Sequence, residues 1–195
     1  MSFDLFILFV AVKPEHKANS LSSNQTVVEG RDAEFCCHTD AFPGVLEYRW
    51  FKDGIQITSS GDYTITPISD GQRLTIAQVK KSSAGRYSCD GRNELGTGER
   101  KSASLLVNYA PKQVTVTPAD PAEVPLAQSI TLTCQADGFP NPSYSWKFNG
   151  KSNGITQNTL TITNADVQDA GNYTCLARND FGNKETTKVV YVRCE

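Results

Sequence analysis

The sequence is poor in the groups that most often carry catalysis at neutral pH. Its 195 residues hold two histidines, His16 and His38. With so little imidazole, a Ser–His–Asp relay has few ways to form. No Gly-rich phosphate loop leads into a helical pattern, and the glycines read as turn formers. Charge of one sign is missing too, with 19 Lys and Arg against 21 Asp and Glu. The balance holds by halves: residues 20–109 carry 10 basic and 11 acidic groups, and residues 112–195 carry 7 and 8. A nucleic-acid binder would show a basic stripe. Lys80-Lys81 and Arg100-Lys101 are short pairs that read as solvated surface. The apolar run Leu5 to Val12 falls well short of the roughly 20 residues needed to span a bilayer. No enzyme activity, cofactor, metal, nucleic-acid partner or direct membrane insertion is expected. Cys36-Cys37-His38 has the look of a metal motif. Neighbours on a strand point to opposite faces, however, so these side chains cannot converge on one ion.

What is present points to an oxidising compartment. Six cysteines in a small, β-rich chain suggest disulfides. Two glycosylation acceptor triplets agree, Asn24-Gln25-Thr26 and Asn172-Tyr173-Thr174. Asn141-Pro142-Ser143 is excluded by its proline. The run Leu5 to Val12 has the length of a secretory signal core. Asp4, the lack of Lys or Arg before the run and the lack of a small-x-small cleavage site depart from that pattern. Residues 13–20 read as polar and flexible.

The chain repeats itself. Ala84-Gly85-Arg86-Tyr87-Ser88-Cys89 and Ala170-Gly171-Asn172-Tyr173-Thr174-Cys175 stand at a constant offset of 86 residues. Each is followed by Arg-Asn-acid-apolar-Gly. Upstream of each lie a cysteine and a tryptophan, Cys37 with Trp50 and Cys134 with Trp146. Leu74-Thr75-Ile76 matches Leu160-Thr161-Ile162 at the same offset. Period-2 alternation places Ala33, Phe35 and Cys37 on one face of a strand, with Glu34, Cys36 and His38 on the other. Ile130, Leu132 and Cys134 alternate inward in the second copy. Asp53-Gly54 and Asn149-Gly150 are hairpin turn signals that close the tryptophan-bearing strands. Trp50 to Tyr87 spans 37 residues and Trp146 to Tyr173 spans 27. The extra length includes Tyr63-Thr64-Ile65-Thr66, an expected additional strand, while Lys151-Ser152-Asn153-Gly154 suggests a trimmed edge.

This pattern resembles the I-set and the related C2-like branch of the immunoglobulin superfamily, over roughly residues 20–193. The resemblance implies an all-β fold: two tandem immunoglobulin-like β-sandwiches in an elongated arrangement. Residues 1–19 form a leader and flexible amino terminus, 20–109 the first domain and 110–195 a shorter second one. Disulfides Cys37–Cys89 and Cys134–Cys175 are implied, the alternation selecting Cys37 over Cys36. Trp50 and Trp146 should pack on these disulfides, and Tyr87 and Tyr173 occupy tyrosine-corner positions. Ser83 stands where the pattern has Asp, which removes an aspartate brace at that corner. Asn108 to Lys112 is a short, Gly-free linker stiffened by Pro111.

Cys36 and Cys194 are left over after pairing. Cys36 is read as a remaining thiol, and Cys194 as a residue whose partner lies beyond this sequence. The sheet holding the tryptophan strand of the first domain should present Arg49, Phe51, Asp90 and Arg92 outward, with Ser88, Ser104 and Leu106. Phe51 between cations suits an exposed interface anchor. Asn172 would place a glycan on the matching sheet of the second domain, and Asn24 lies away from the first domain's face. The expected function is extracellular or cell-surface recognition or adhesion through another protein, homophilic or heterophilic, in a chain that is one piece of a longer receptor. The alternatives are a structural immunoglobulin-like module of the extracellular matrix or muscle filament, and a soluble secreted binder or decoy.

Overall fold

The computed structural model describes residues 11–21 and 23–194. The chain divides into two compact units, one ending at Val107 and the other beginning at Asn108. Unit 1 contains β1 (Val12–Leu21), β2 (Gln25–Val28), β3 (Ala33–Phe42), β4 (Glu47–Lys52), β5 (Ile55–Ile57), β6 (Tyr63–Ile68), β7 (Gly71–Ile76), β8 (Gly85–Asn93), β9 (Gly96–Thr97) and β10 (Lys101–Asn108). One sheet runs β1-β3-β7-β6, the other β2-β10-β8-β4-β5 with β9 on β8. Alternation builds the core between them. Phe35, Cys37, Trp50, Leu74, Ile76, Tyr87, Cys89 and Leu105 are buried. The Cys37–Cys89 disulfide crosses the sandwich with Cα atoms 6.4 Å apart, and Trp50 stands opposite Cys89 across the β4–β8 ladder. A bond of this kind contributes about 2–5 kcal/mol in a small domain.

Unit 2 contains β11 (Val114–Thr117), β12 (Ala122–Pro125), β13 (Ile130–Ala136), β14 (Ser143–Phe148), β15 (Lys151–Ser152), β16 (Thr159–Ile162), β17 (Gly171–Asn179) and β18 (Gly182–Arg193). Its sheets run β11-β13-β16 and β12-β18-β17-β14-β15. Cys134 and Cys175 are bonded across it, with Trp146 opposite Cys175. The additional strand read from Tyr63-Thr64-Ile65-Thr66 is β6 of unit 1. Among the described residues unit 2 has no counterpart in that sheet, and β15 is two residues long.

Local sequence explains the connections. Asp53 (φ 49°) and Gly54 (φ 85°) form the two-residue β4–β5 turn, and Asn149 (φ 46°) and Gly150 (φ 80°) form the β14–β15 turn. Positive φ at both central positions selects Asx-Gly. The Tyr87 hydroxyl donates to Ser83 O at 2.8 Å, and the Tyr173 hydroxyl donates to Asp169 O at 2.9 Å. Burial pushes the Tyr87 phenol up, and that of Tyr173 up to about 12.

One expectation is corrected. Residues 13–20 were expected to be flexible, but Val12–Leu21 is a strand laid along β3. Its polar sequence is that of an edge strand, which buries little apolar surface. Val12 is also held from the core side, since Asn93 Nδ2 donates to its carbonyl at 2.8 Å. The remainder of the expected leader, residues 1–10, lies outside the described residues. The corner of unit 1 has no aspartate brace, as its sequence reads, and a serine makes the bond in its place. Ser83 Oγ accepts Lys80 N at 3.0 Å, as Asp169 Oδ2 accepts Asp166 N at 2.9 Å. A hydroxyl reaches the same donor as the carboxylate.

Candidate interaction face

The outer surface of β4, β8 and the approach to β10 gathers most of the residues read as a face. Arg49 stands opposite Asp90 and Glu47 opposite Arg92 on the β4–β8 ladder. Alternation turns all four away from the core. Arg49 Nε donates to Asp90 Oδ1 at 2.7 Å. Arg100 Nε donates to Asp90 Oδ2 at 2.9 Å, and its Nη2 lies 2.9 Å from the same oxygen. Both carboxylate oxygens of Asp90 are therefore engaged by guanidinium. The Asp90 hydrogen bond pushes the Arg49 guanidinium further above its ordinary value.

The expectation for Phe51 is corrected. It points outward from β4 yet is only 6% exposed. The Arg100 guanidinium lies over its ring with Cζ 3.4 Å from the centroid, and Arg49 Cζ is 5.8 Å away. Two cations fixed by one carboxylate roof the ring, through cation–π attraction and apolar contact. Sequence reasoning placed Phe51 on the correct side. It missed Arg100, which was read as solvated surface and lies ten positions after its partner Asp90. What the face presents is mostly cationic: Arg100 at 41% side-chain exposure, Arg49 at 27% and the exposed Arg92, with the exposed Glu47 opposite Arg92. A guanidinium has five N–H donors, and Asp90 takes only part of the supply. Ser88 is buried beside Phe51.

Asn24 also differs from its expected position. Its Oδ1 accepts Ser104 N on β10 at 2.8 Å, so it borders the sheet that carries this face. It is exposed, as is Asn172 on β17. Two asparagines that sequence reasoning passed over do matter, and the repeated Arg-Asn-acid-apolar-Gly was their signal. Asn93 Nδ2 donates to Val12 O and Pro43 O at 2.8 and 2.9 Å, and its Oδ1 accepts Leu95 N at 3.0 Å. Asn179 repeats this with Tyr109 O, Pro140 O and Phe181 N at 2.9, 3.0 and 3.0 Å.

Cys36 lies on the outer side of β3, opposite Arg73 on β7, and Cys194 is exposed; both stand outside the two disulfides. His38 Nδ1 is 2.8 Å from Asp70 Oδ1. His16, Cys37 and Cys89 bring ligand-type atoms within 4.8 Å of one another. The two sulfurs are bonded to each other, and a disulfide offers no thiolate to a metal.

Comparison with known proteins agrees with this architecture. The family model described as "Immunoglobulin domain" matches residues 13–93 and 111–179. Mouse hemicentin-2 is 33% identical over 96% of this chain, which corresponds to 4% of hemicentin-2. The mouse cell adhesion molecule CEACAM16 is 30% identical over 82% of the chain and 38% of its own length. The chain thus spans well under half of each of these relatives. Among solved structures, the four amino-terminal immunoglobulin domains of Dscam1 isoform 6.9 align with a TM-score of 0.61 and 22% identity, over 94% of this chain and 47% of theirs. That likeness is one of fold. Among the described residues no helix is long and apolar enough to cross a membrane.

Proposed function

The chain belongs to the immunoglobulin superfamily, and from that premise we propose that it is a non-enzymatic recognition module of the extracellular space or cell surface. It binds another protein through the outer face of β4, β8 and β10 in unit 1. The observation that carries this reading is the Arg49–Asp90–Arg100 cluster over Phe51. One buried carboxylate and one ring fix two guanidiniums, so their remaining donors meet a partner with little further loss of side-chain freedom. Arginine of this kind is enriched at the energetic centres of interfaces. The adhesion named in CEACAM16 supports the same role. Glycans on Asn24 and Asn172 belong to the proposal, as does a secretory leader within the first residues.

The test uses chain recovered from the medium of eukaryotic cells, tetramerised and titrated onto cell surfaces. Arg92→Glu with Arg100→Glu should abolish binding to cells that the parent chain stains. Thr64→Arg, on β6 of the other sheet, should leave it unchanged. Equal staining by the parent and the double variant removes the face. Retention in the cytosol without glycan removes the extracellular assignment.

A further inference from the structure

The acceptor asparagine of unit 2 stands directly opposite an exposed apolar residue. Asn172 on β17 pairs with Val189 on β18. Alternation turns both away from the core, since their neighbours Tyr173 and Val190 are buried. Tyr191 follows two positions on and faces the same way. Val189 is 38% exposed and Tyr191 52%. Opposed Cβ atoms on one face lie about 5 Å apart and diagonal ones about 7–8 Å, within reach of a long side chain. Charge closes this strip at both ends. Tyr191 stands opposite Glu123 on the parallel strand β12, and Glu123 Oε2 is 3.1 Å from Arg193 Nε. Toward the other end of β18, Lys147 Nζ donates to Glu185 Oε2 at 3.2 Å. At the corresponding pair of unit 1, Arg86 faces Ser104, with neither an acceptor nor an apolar side chain.

The sheet also holds the acceptor in place. Asn149 Oδ1 accepts Asn172 N at 2.9 Å, and Asn149 N donates to Asn172 O at 2.8 Å. Thr174, the third residue of the triplet, lies on the same face with its Oγ1 2.8 Å from that of Thr187. The direction in which a sugar leaves Asn172 is therefore set by a paired strand and not by a loop. An N-linked glycan begins with N-acetylglucosamine, whose pyranose ring has a face of C–H groups. That face gains by covering apolar surface, and an aromatic ring attracts C–H groups to its negative face. The strip suits a sugar better than a protein: two partly exposed side chains fall far short of the roughly 1,000 Å² that a stable protein interface buries. We propose that Val189 and Tyr191 seat the first sugars of a glycan carried by Asn172, so that the glycan packs on β18. The inference rests on the extracellular reading above, which supplies the glycan. Attachment forms one bond, from Asn172 Nδ2 to the anomeric carbon of a lipid-pyrophosphate-linked oligosaccharide, as an amide proton and the lipid pyrophosphate leave. The seated glycan stabilises unit 2 and closes this part of its sheet to other partners.

The test expresses the chain in eukaryotic cells with Asn24→Gln, which leaves Asn172 as the acceptor, and reads its occupancy from peptide mass. Thermal unfolding then compares this chain with one that also carries Asn172→Gln, each with and without the pair Val189→Thr and Tyr191→Thr. Loss of the glycan should lower the midpoint of unit 2 by about 4–8 °C, the shift of a modest contact in a domain of this size. The same loss should be much smaller once Val189 and Tyr191 are replaced. An equal loss in both backgrounds, or no loss while the pair is present, overturns the proposal. Should the threonine variants not fold, nuclear Overhauser contacts on the unsubstituted chain decide. Tyr191 ring protons must show them to the first N-acetylglucosamine, and their absence overturns the seat. A glycosylated chain that dimerises in sedimentation velocity, and loses the dimer with Val189→Thr and Tyr191→Thr, overturns it in favour of a second copy. A chain recovered from the medium with Asn172 bare overturns the seat and leaves the extracellular reading standing, whereas retention in the cytosol removes both.

Discussion

The Asp53 carboxylate fills the space in front of Gly85: a Cβ built on Gly85 would stand 2.7 Å from Asp53 Oδ2. The same carboxylate accepts the backbone N–H of Arg86, the next residue, at 2.8 Å. Unit 2 repeats the arrangement with an amide. Asn149 Oδ1 accepts Asn172 N at 2.9 Å and lies 2.7 Å from the Cβ position of Gly171. The repeated Ala-Gly-x-Tyr-x-Cys thus carries its glycine because a turn residue from the neighbouring strand occupies the place of a side chain. Gly85 (φ 149°) and Gly171 (φ 156°) are also in backbone conformations that L side chains rarely adopt.

Gly85→Ala and Gly171→Ala should each destabilise their own unit by about 1–3 kcal/mol, the range for backbone strain at a disfavoured φ. The alanine must also displace Asp53 or Asn149 and break the hydrogen bond to the following residue. Urea unfolding of each variant measures this. A midpoint unchanged in both would show that the turn side chains swing aside at no cost.

Asp53 supplies a pH dependence whose sign is fixed. The Arg86 backbone N–H, followed by the hydrogen bond from Lys52, holds its carboxyl below the usual carboxylate range. A depressed folded value contributes stability that is present above the unfolded value of about 3.9 and is lost as pH falls through the folded one. The side chain is half exposed, so the effect is screened and small. Asn149 makes the equivalent bond without titrating, which suggests the control. Asp53→Asn should retain most of the stability of unit 1 at neutral pH and flatten its loss as pH falls below the unfolded carboxylate value of about 3.9. Unfolding midpoints across that range, compared between parent and variant, read it directly.

Asn93 ties the start of β1 to β8. It is 1% exposed, and its side chain serves Val12 O, Pro43 O and Leu95 N. Asn93→Ala removes all three bonds and leaves two carbonyls and an amide without this partner in a part-buried place. The expected cost is about 1–3 kcal/mol, from three lost hydrogen bonds whose partners are part-buried. Asn93→Asp should not rescue it, because a carboxylate would face two carbonyl oxygens. Hydrogen exchange locates the damage: β1 amides should lose protection first, with β8 and β10 retaining theirs. Uniform loss across unit 1 would mean that Asn93 supports the core rather than the strand.

The sequence was most informative where one physical rule governs a position. Inward alternation along β3 and β13 distinguishes Cys37 from Cys36, and Asx-Gly at positive φ fixes the turns. The repeat carried these rules twice. Its second appearance also marked Asn93 and Asn179, but the bonds they make join segments up to 81 positions apart, and local pattern cannot show such partners. β1 was illegible for a related reason. Lys13, Glu15 and His16 give no apolar alternation, and the strand is defined by its neighbour β3 and by Asn93. Phe51 failed differently. Period-2 reading gives the face of a sheet correctly but says nothing about a long side chain that folds over that face from a neighbouring loop.

Arg100 tests that last point. It covers Phe51 and closes the second oxygen of Asp90, so Arg100→Ala uncovers an aromatic ring and leaves a nearly buried carboxylate with Arg49 alone. The expected loss is about 1–3 kcal/mol, the usual cost of breaking a buried charge-assisted hydrogen bond. Asp90→Ala leaves Arg49 and Arg100 facing each other without their anion and should cost a comparable amount. The two changes remove one shared interaction. The double variant should therefore be less destabilised than the sum, with a coupling of about 0.5–3 kcal/mol. Lys at position 100 separates charge from shape. An ammonium keeps the attraction to Asp90 but cannot lie flat on the ring while donating from two nitrogens. Arg100→Lys should consequently recover part of the stability and little of the partner binding proposed for this face. Additive losses in the cycle would show that Arg100 covers Phe51 by packing alone, and binding by Arg100→Lys equal to the parent would show that the face needs charge and not the fixed guanidinium.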